Sequence, residues 1–200
     1  MTSRYAFLVD TYRTERVKTL GVWSQVADAD LRWRAEPRAR SPLEHMVHQC
    51  VSEDGWMTKM LGVVTGHAVL PADETRLAFI SHYADVSGAR LAALEQQSDG
   101  WFEAETSFFE VTRSRAWVLT RRIAHSAHHR GQMTAFIRAS GQALYSTYGP
   151  TADTGGLPKN GAAVIYRYDT IDDLIEGERA GARSKPLPGP GVLPATERPD

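Results

Sequence analysis

Five of the seven histidines lie in two short groups, and one group has the spacing of a metal chelate. His125 and His129 are four residues apart within a long apolar-periodic segment. On a helix, this spacing places both imidazoles on one face, one turn apart, with their Cβ atoms about 5–6 Å from each other. Two neutral imidazoles so placed suit one metal ion. The pair is therefore the start of a candidate metal site.

A catalytic zinc-type centre takes three protein ligands and leaves one position open. The second histidine group, His45 and His48, lies on another predicted helix and offers the third ligand. Spacing alone leaves two choices open, because His128 competes with His129 and His45 competes with His48. Three histidines and a metal-bound water would make hydroxide, or a thiolate from a substrate, available at neutral pH.

Four long helical patterns position these histidines and together predict an all-α, four-helix bundle. The second helix has the clearest start, because Ser41, Pro42 and Glu44 form a capping box with proline at the first helical position. We expect Gly141 to follow the end of the fourth helix. The predicted helices run from Ser3 to about Ala27, from Pro42 to near Leu61, from about Pro71 to Ser98, and from about Thr112–Ser114 to Ala139 or Ser140, with connections at 28–40 and 101–111.

The last quarter of the chain differs in composition, with seven of the ten prolines and eight of the sixteen glycines. We assign the metal-binding bundle to residues 1–148 and an irregular extension to 149–183. The extension is expected to pack on the bundle or on a partner subunit, with one short strand at 162–168 and one short helix at 171–179. Residues 184–200 are expected to form a flexible Pro/Gly-rich tail.

The overall composition argues against several classes of protein. The formal net charge is −1, so we expect neither nucleic acid nor an anionic membrane surface as a partner. The single cysteine, Cys50, excludes an internal disulfide and a cysteine-based zinc cluster, and we interpret it as a small buried apolar group. No signal-peptide pattern and no stretch of 18 apolar residues is visible, so a cytoplasmic location is expected.

Three segments in the same order resemble one known family. The string HSAHHRGQ at 125–132 resembles the His-x-x-x-His-Arg-Gly-Gln signature of the DinB/YfiT-like superfamily. The segment from His48 through Glu53 to Trp56 is similar to that family's His-x4-Glu-x2-Trp pattern on its second helix. Leu31-Arg32-Trp33, followed by Ser41-Pro42, resembles its first connection. The resemblance covers about residues 3–145.

The resemblance implies a four-helix bundle that holds one divalent ion, Zn²⁺ or Ni²⁺, through His48, His125 and His129. It implies a small-molecule substrate and a metal-dependent enzyme that uses a low-molecular-weight thiol of the bacillithiol or mycothiol type. Such an enzyme would be an S-transferase or a related hydrolase or isomerase. A homodimer is expected through the bundle. The alternative is a non-catalytic, metal-binding, stress-associated interaction protein, which the lack of a convincing general base beside the histidines favours.

Further residues of the two motifs are weaker candidates. Glu53 is a candidate for orienting a ligand or accepting a proton. Arg130 is a candidate for binding a substrate carboxylate, although we favour a pair with an acid across a bundle or dimer interface. Gly131 is predicted to allow close helix–helix approach, and Gln132 to form hydrogen bonds in the core. Trp56 and Trp117 are predicted to pack in the core. His82 is a weak candidate for a fourth metal ligand.

Overall fold

The computed structural model describes residues 3–192 and 196, and four long helices form a bundle. The long helices are α1 (Ala6–Trp23), α2 (Pro42–Gly55), α3 (Arg76–Glu95) and α5 (Arg115–Ala139). A short helix, α4 (Asp99–Glu103), and two strands, β1 (Glu105–Phe108) and β2 (Val111–Ser114), lie between α3 and α5, and α6 (Ile171–Arg179) follows the bundle. The prediction of an all-α, four-helix bundle is confirmed.

The order of the helices in space differs from their order in the chain. Helix α1 packs against α3 and α5, and α2 also packs against α3 and α5. Consecutive helices α1 and α2 therefore lie diagonally across the bundle, and the connection between them crosses one of its ends. The interior is closed by large apolar side chains, including the fully buried Trp23, Met46 and Ile80. Burial of such side chains is the main term that stabilises the arrangement.

The helix ends follow the capping residues. The Ser41 hydroxyl accepts the Glu44 N–H, and the Glu44 carboxylate accepts the Ser41 N–H, so the predicted capping box is present. After α2, one wider turn at Trp56–Met60 continues the helix to Leu61. Helix α5 ends as expected, because Gly141 has a φ of +79°. Helix α3 begins later than expected, at Arg76, where the Thr75 hydroxyl accepts the Ala78 N–H.

The predicted connection at 101–111 contains secondary structure instead. Strands β1 and β2 form an antiparallel hairpin in which Phe108 pairs with Val111. The turn is Phe109-Glu110, and Phe109 has a φ of +51°. A two-residue hairpin turn usually places Gly, Asn or Asp at such a position, so the sequence held no signal for it. The Thr106 hydroxyl donates to the Met60 carbonyl at 2.5 Å and fixes the hairpin to the end of α2.

The extension contains the predicted helix but not the predicted strand. Helix α6 spans the predicted residues and begins at the Thr170 cap. In the described part of the chain, residues 162–168 form no strand, because no neighbouring segment supplies a ladder. Their link to the preceding loop is local: the Ser146 N–H donates to the Ile165 carbonyl, and the Ile165 N–H donates to the Ser146 hydroxyl. A β-branched composition alone does not make a strand.

The extension packs on the bundle of its own chain. Tyr168 and Leu174 are buried in the same apolar core as α1 and α3. The Arg76 guanidinium of α3 forms an ion pair with Glu178 of α6. Within the predicted tail, the Lys185 N–H donates to the Tyr145 hydroxyl at 3.0 Å. The predicted flexibility at 193–195 and 197–200 lies outside the described residues.

Candidate metal centre

Three histidine side chains from two adjacent helices meet at one point. His48 lies on α2, and His125 and His129 lie on α5. One ring nitrogen from each of them lies within 4.8 Å of the other two. The ring centroids are 4.5 Å apart for His125–His129, 4.6 Å for His48–His129 and 5.5 Å for His48–His125. The structure thus brings together the three residues that the family resemblance predicted as ligands.

The separation of two of these nitrogens fits a tetrahedral ion. The Nε2 atoms of His125 and His129 are 3.3 Å apart. Zinc binds histidine nitrogen at about 2.0–2.1 Å, so two ligands at tetrahedral positions are about 3.3–3.4 Å apart. This separation would therefore allow His125 and His129 to hold one such ion together. His48 supplies the third nitrogen from the facing helix.

The local environment keeps the imidazoles neutral, which is the form that binds a metal. Burial and, after it, the neighbouring Arg122 guanidinium lower the pKa of His125 to about 3. Burial lowers the pKa of His129 to about 4 and also lowers the pKa of His48. These pKa shifts apply to the three histidines without a bound ion. The three rings are therefore ready to act as lone-pair donors at neutral pH.

Gln132 orients one of the three rings. Its Oε1 lies 2.7 Å from Nδ1 of His129, an acceptor that favours a proton on Nδ1 and leaves Nε2 free to face His48 and His125. Such partners of metal-binding histidines fix the tautomer and the ring orientation. Gln132 is exposed, so the prediction of a core hydrogen-bonding role is wrong. Because Gln132 lies one helical turn after His129, its side chain can contact the His129 ring from the surface.

Of the histidines between which spacing left a choice, the structure brings His48 and His129 into the group of three with His125. His128, about 100° around the helix, is exposed; its ring lies 5.0 Å from that of His129, but it does not belong to the group of three whose ring nitrogens meet. His45 lies one turn before His48, with its ring 5.5 Å from that of His129. Its Nδ1 is buried without a hydrogen-bond partner among the described residues. His82 is remote from this cluster, and its Nε2 lies 3.2 Å from the Val69 carbonyl oxygen.

Glu53 does not face the three histidines. It is 1% exposed, and its carboxylate accepts hydrogen bonds from the hydroxyls of Tyr12 (2.6 Å) and Tyr83 (2.9 Å). The guanidinium groups of Arg90 and Arg122 lie 3.5 Å and 3.9 Å from it. This geometry supports an interior structural role and leaves no free path from Glu53 to a substrate.

Arg130, the other weak candidate, is also directed into the bundle. Its guanidinium pairs with Glu15 of α1, donates to the Thr19 hydroxyl at 3.0 Å and contacts the Tyr148 hydroxyl. It is 1% exposed. The pair with an acid across the bundle is therefore present within one chain, and the guanidinium is not available to a substrate in this structure.

Three packing expectations are settled by position. Cys50 is buried as a small apolar group, and burial raises the pKa of its thiol to about 12. Trp117 is 40% exposed and lies against Phe108 of the hairpin, so its predicted core position is wrong. A Cβ added at Gly131 would meet no atom within 4 Å, so the predicted close helix approach is absent from the described structure.

An aromatic and cationic wall beside His125 was not foreseen from the sequence. The Trp56 ring lies 5.5 Å from that of His125; it is half-buried, packs against the apolar core as predicted and also borders the site. The guanidinium of Arg122 lies 5.4 Å above the same Trp56 ring and donates to Ser52 and Ser126 at 2.9 Å. The motif predicted Trp56 near the end of the second helix. Its position between His125 and Phe108 of the hairpin is visible only in the structure.

The sequence as a whole matches one family model. The model described as the DinB family covers residues 1–156. This chain belongs to the DinB family. The matched region ends before α6, so the last part of the extension lies beyond the family model. Among proteins with curated functions, none shows significant similarity to this DinB-family chain.

Three solved structures share the fold of this DinB-family chain. A DinB-like protein from Bacillus cereus is 20% identical, with a TM-score of 0.63 over 74% of this chain and 100% of its own. The DinB-like protein YjoA from Bacillus subtilis is 14% identical, with a TM-score of 0.54 over 68% and 94%. YfiT from Bacillus subtilis is 14% identical, with a TM-score of 0.55 over 72% and 92%.

YfiT is described as "a probable metal-dependent hydrolase with an unusual four-helix bundle topology". At these identities the likeness establishes the fold alone. The diagonal placement of α1 and α2 in this chain is a departure from a simple sequential bundle. Within the described residues, no helix combines the length and the apolar character needed to cross a bilayer.

Proposed function

We propose that this protein is a metal-dependent enzyme with one divalent ion, Zn²⁺ or Ni²⁺, held by His48, His125 and His129. The observation that carries the proposal is the convergence of three ring nitrogens within 4.8 Å from two packed helices. Three protein ligands leave a fourth position for a water or a substrate atom, as in catalytic zinc sites. The description of YfiT as a "probable metal-dependent hydrolase" agrees with this assignment.

The chemistry that such an ion supplies is activation of a bound nucleophile, because it lowers the pKa of a coordinated water or thiol. A water would give hydrolysis. A low-molecular-weight thiol of the bacillithiol or mycothiol type would give S-transfer to an electrophile. Around this position, Gln132 holds the His129 ring, and Trp56 covers one side of His125.

The first experiment measures metal content in protein purified without a tag or a nickel column. We expect close to one zinc or nickel per chain in the wild type. The double variant His48→Ala/His129→Ala should hold none, whereas His128→Ala, which changes an exposed histidine of the same group, should retain the metal. A wild type with far less than one ion per chain, or a fully occupied double variant, would overturn the proposal.

The second experiment tests for turnover. Metal-loaded protein is screened with ester and amide substrates in water, and with electrophiles in the presence of bacillithiol or mycothiol. We expect activity that disappears on chelation and returns with the ion. A protein that binds one ion per chain but turns over nothing in this screen would favour the second candidate function.

That second candidate is a non-catalytic, metal-binding interaction protein, and one observation favours it. The carboxylate in the metal-site motif, Glu53, is turned into the core and held by Tyr12 and Tyr83. No aspartate or glutamate joins the three histidines in their cluster among the described residues. The expected homodimer and cytoplasmic location remain predictions, and sedimentation analysis would test the first.

A further inference from the structure

The connection from α1 to α2 places arginines next to the histidine cluster. Two surface cavities, of about 660 Å³ and 480 Å³, share Arg38, Ala39 and Arg40 as a common wall. The larger is also lined by His45 and Gln132, and the smaller by His48. This loop therefore stands at the edge of the candidate metal centre, and Trp56 lines neither cavity.

The arginines of this loop differ in their partners. Arg34 pairs with Glu44 at 2.5 Å, and Arg38 pairs with Glu36 at 2.8 Å. Arg40 is exposed and forms no ion pair with an acid in the part of the chain that the structure describes. It lines both cavities, together with His45 in the larger and His48 in the smaller.

We propose that Arg40 binds an oxyanion of the substrate, so that the substrate class is a small organic anion with a carboxylate or a phosphate group. This inference deepens the proposed function and rests on it for the reacting centre. A guanidinium presents a planar fork of donors that matches a carboxylate or a phosphate bidentately. An arginine without an acid partner is free to make that contact.

The two sides of the cluster orient such a molecule. On the Arg40 side the arginines are the cationic groups of both cavities; the rest of the lining includes apolar side chains and, in the smaller cavity, the Glu44 carboxylate, which is paired with Arg34. On the other side, the rings of Trp56 and Phe108 lie edge to face at 5.0 Å, with Trp56 also against His125. The anionic end of a substrate would then lie toward the loop and its uncharged end toward the hairpin, with the bond to be cleaved or formed over the histidines.

The test is a titration of the full-length protein with succinate and, separately, with inorganic phosphate, at constant ionic strength. Backbone amide shifts in NMR spectra locate the site and give the Kd, for the metal-loaded and the metal-free protein. We expect shifts around residues 38–48. Arg40→Gln should raise the Kd of the anion about five- to tenfold. Arg40→Lys should raise the Kd less, because the positive charge remains.

The matched control is Arg32→Gln, which removes the same charge from the same loop but from a residue paired with Glu74 and outside both cavities. We expect less than a twofold change in its Kd. An equal effect of Arg32→Gln and Arg40→Gln, or no binding near residues 38–48, would overturn the inference. Tighter binding of succinate assigns a carboxylate, and tighter binding of phosphate assigns a phosphate.

The failure of the inference is distinguishable from the failure of the proposed function. Metal content is measured on the same samples. Anion binding that depends on Arg40 in a protein that takes up no metal would refute the metal-dependent function and retain the anion site. Uptake of one ion per chain with anion binding indifferent to Arg40 would retain the function and refute the inference.

Discussion

Two polar clusters each include one residue of α2, His48 in one and Glu53 in the other, and they differ in how far their hydrogen-bonding capacity is met. Glu53 accepts from two tyrosine hydroxyls and has two guanidinium groups within 4 Å. In contrast, His48, His125 and His129 turn nitrogens toward one another. Neutral imidazoles packed in this way gain little from each other. An ion that accepts three lone pairs would satisfy them together.

The difference separates a cluster that holds the bundle together from a cluster that is built to bind. A buried charged group is expensive unless it is paired and hydrogen-bonded, and Glu53 meets both conditions. Glu53 and His48 belong to one sequence motif. Membership in a motif therefore does not assign chemistry, whereas unmet bonding capacity beside an open cavity does.

The largest expected loss of stability comes from a substitution in the Glu53 cluster. Glu53→Gln keeps the shape but leaves Arg90 and Arg122 with less compensating charge in the core. We expect a loss of about 3–5 kcal/mol in the free energy of unfolding, measured by urea denaturation. Metal content per folded chain should not change.

The control is Glu74→Gln, which removes an exposed ion pair with Arg32 and should cost less than about 1 kcal/mol. If Glu53→Gln lost the metal and kept its stability, the assignment of the two clusters would be reversed.

On the histidine side, we expect stability that depends on metal. A ligand that binds only the folded state at a free concentration about 1,000 times its Kd adds about 4 kcal/mol to the free energy of unfolding. The wild type should gain this amount, and His129→Ala should gain almost nothing at the same concentration. His128→Ala is the matched control and should behave as the wild type. Denaturation with and without zinc measures all three, and equal gains in His129→Ala would contradict the ligand assignment.

A smaller effect is expected from Gln132, which acts through His129. Gln132→Ala removes the acceptor 2.7 Å from Nδ1 and should weaken metal affinity about 10–100-fold. Because Gln132 is exposed, metal-free stability should change by less than about 0.5 kcal/mol. Competition titration with a chelating dye measures the affinity, and Gln132→Glu, which restores an acceptor, should recover most of it. Unchanged affinity in Gln132→Ala would remove Gln132 from the site.

The smallest effect on stability is expected from a substitution of Gly131, which lies between Arg130 and Gln132 on α5. It is exposed in a helix interior, and an added Cβ would meet nothing within 4 Å. Gly131→Ala should therefore raise the free energy of unfolding by about 0.5–1 kcal/mol, since alanine is the better helix former. A thermal or urea denaturation curve decides the sign. A loss of stability would place Gly131 against another protein surface, such as that of a partner subunit.

Much of the fold was readable from local signals. The capping box at Ser41, the glycine after α5 and the apolar periodicity predicted the long helices, because these signals act within one or two turns. The hairpin and the absence of a strand at 162–168 were not readable. The turn at Phe109 uses a residue type that rarely adopts positive φ, and a strand exists only when a neighbour pairs with it.

The sequence by itself determined that His125 and His129 share one helix face, since four residues span about one turn whatever surrounds them. Spacing alone left open which histidine of the second helix completes the site, and His48 was implied only by the family resemblance. His129 and Arg130 are adjacent in the chain, yet packing directs one toward α2 and the other toward Glu15 of α1. Only the tertiary structure decided this division, because the face that each residue presents acquires a function from the helix that packs against it.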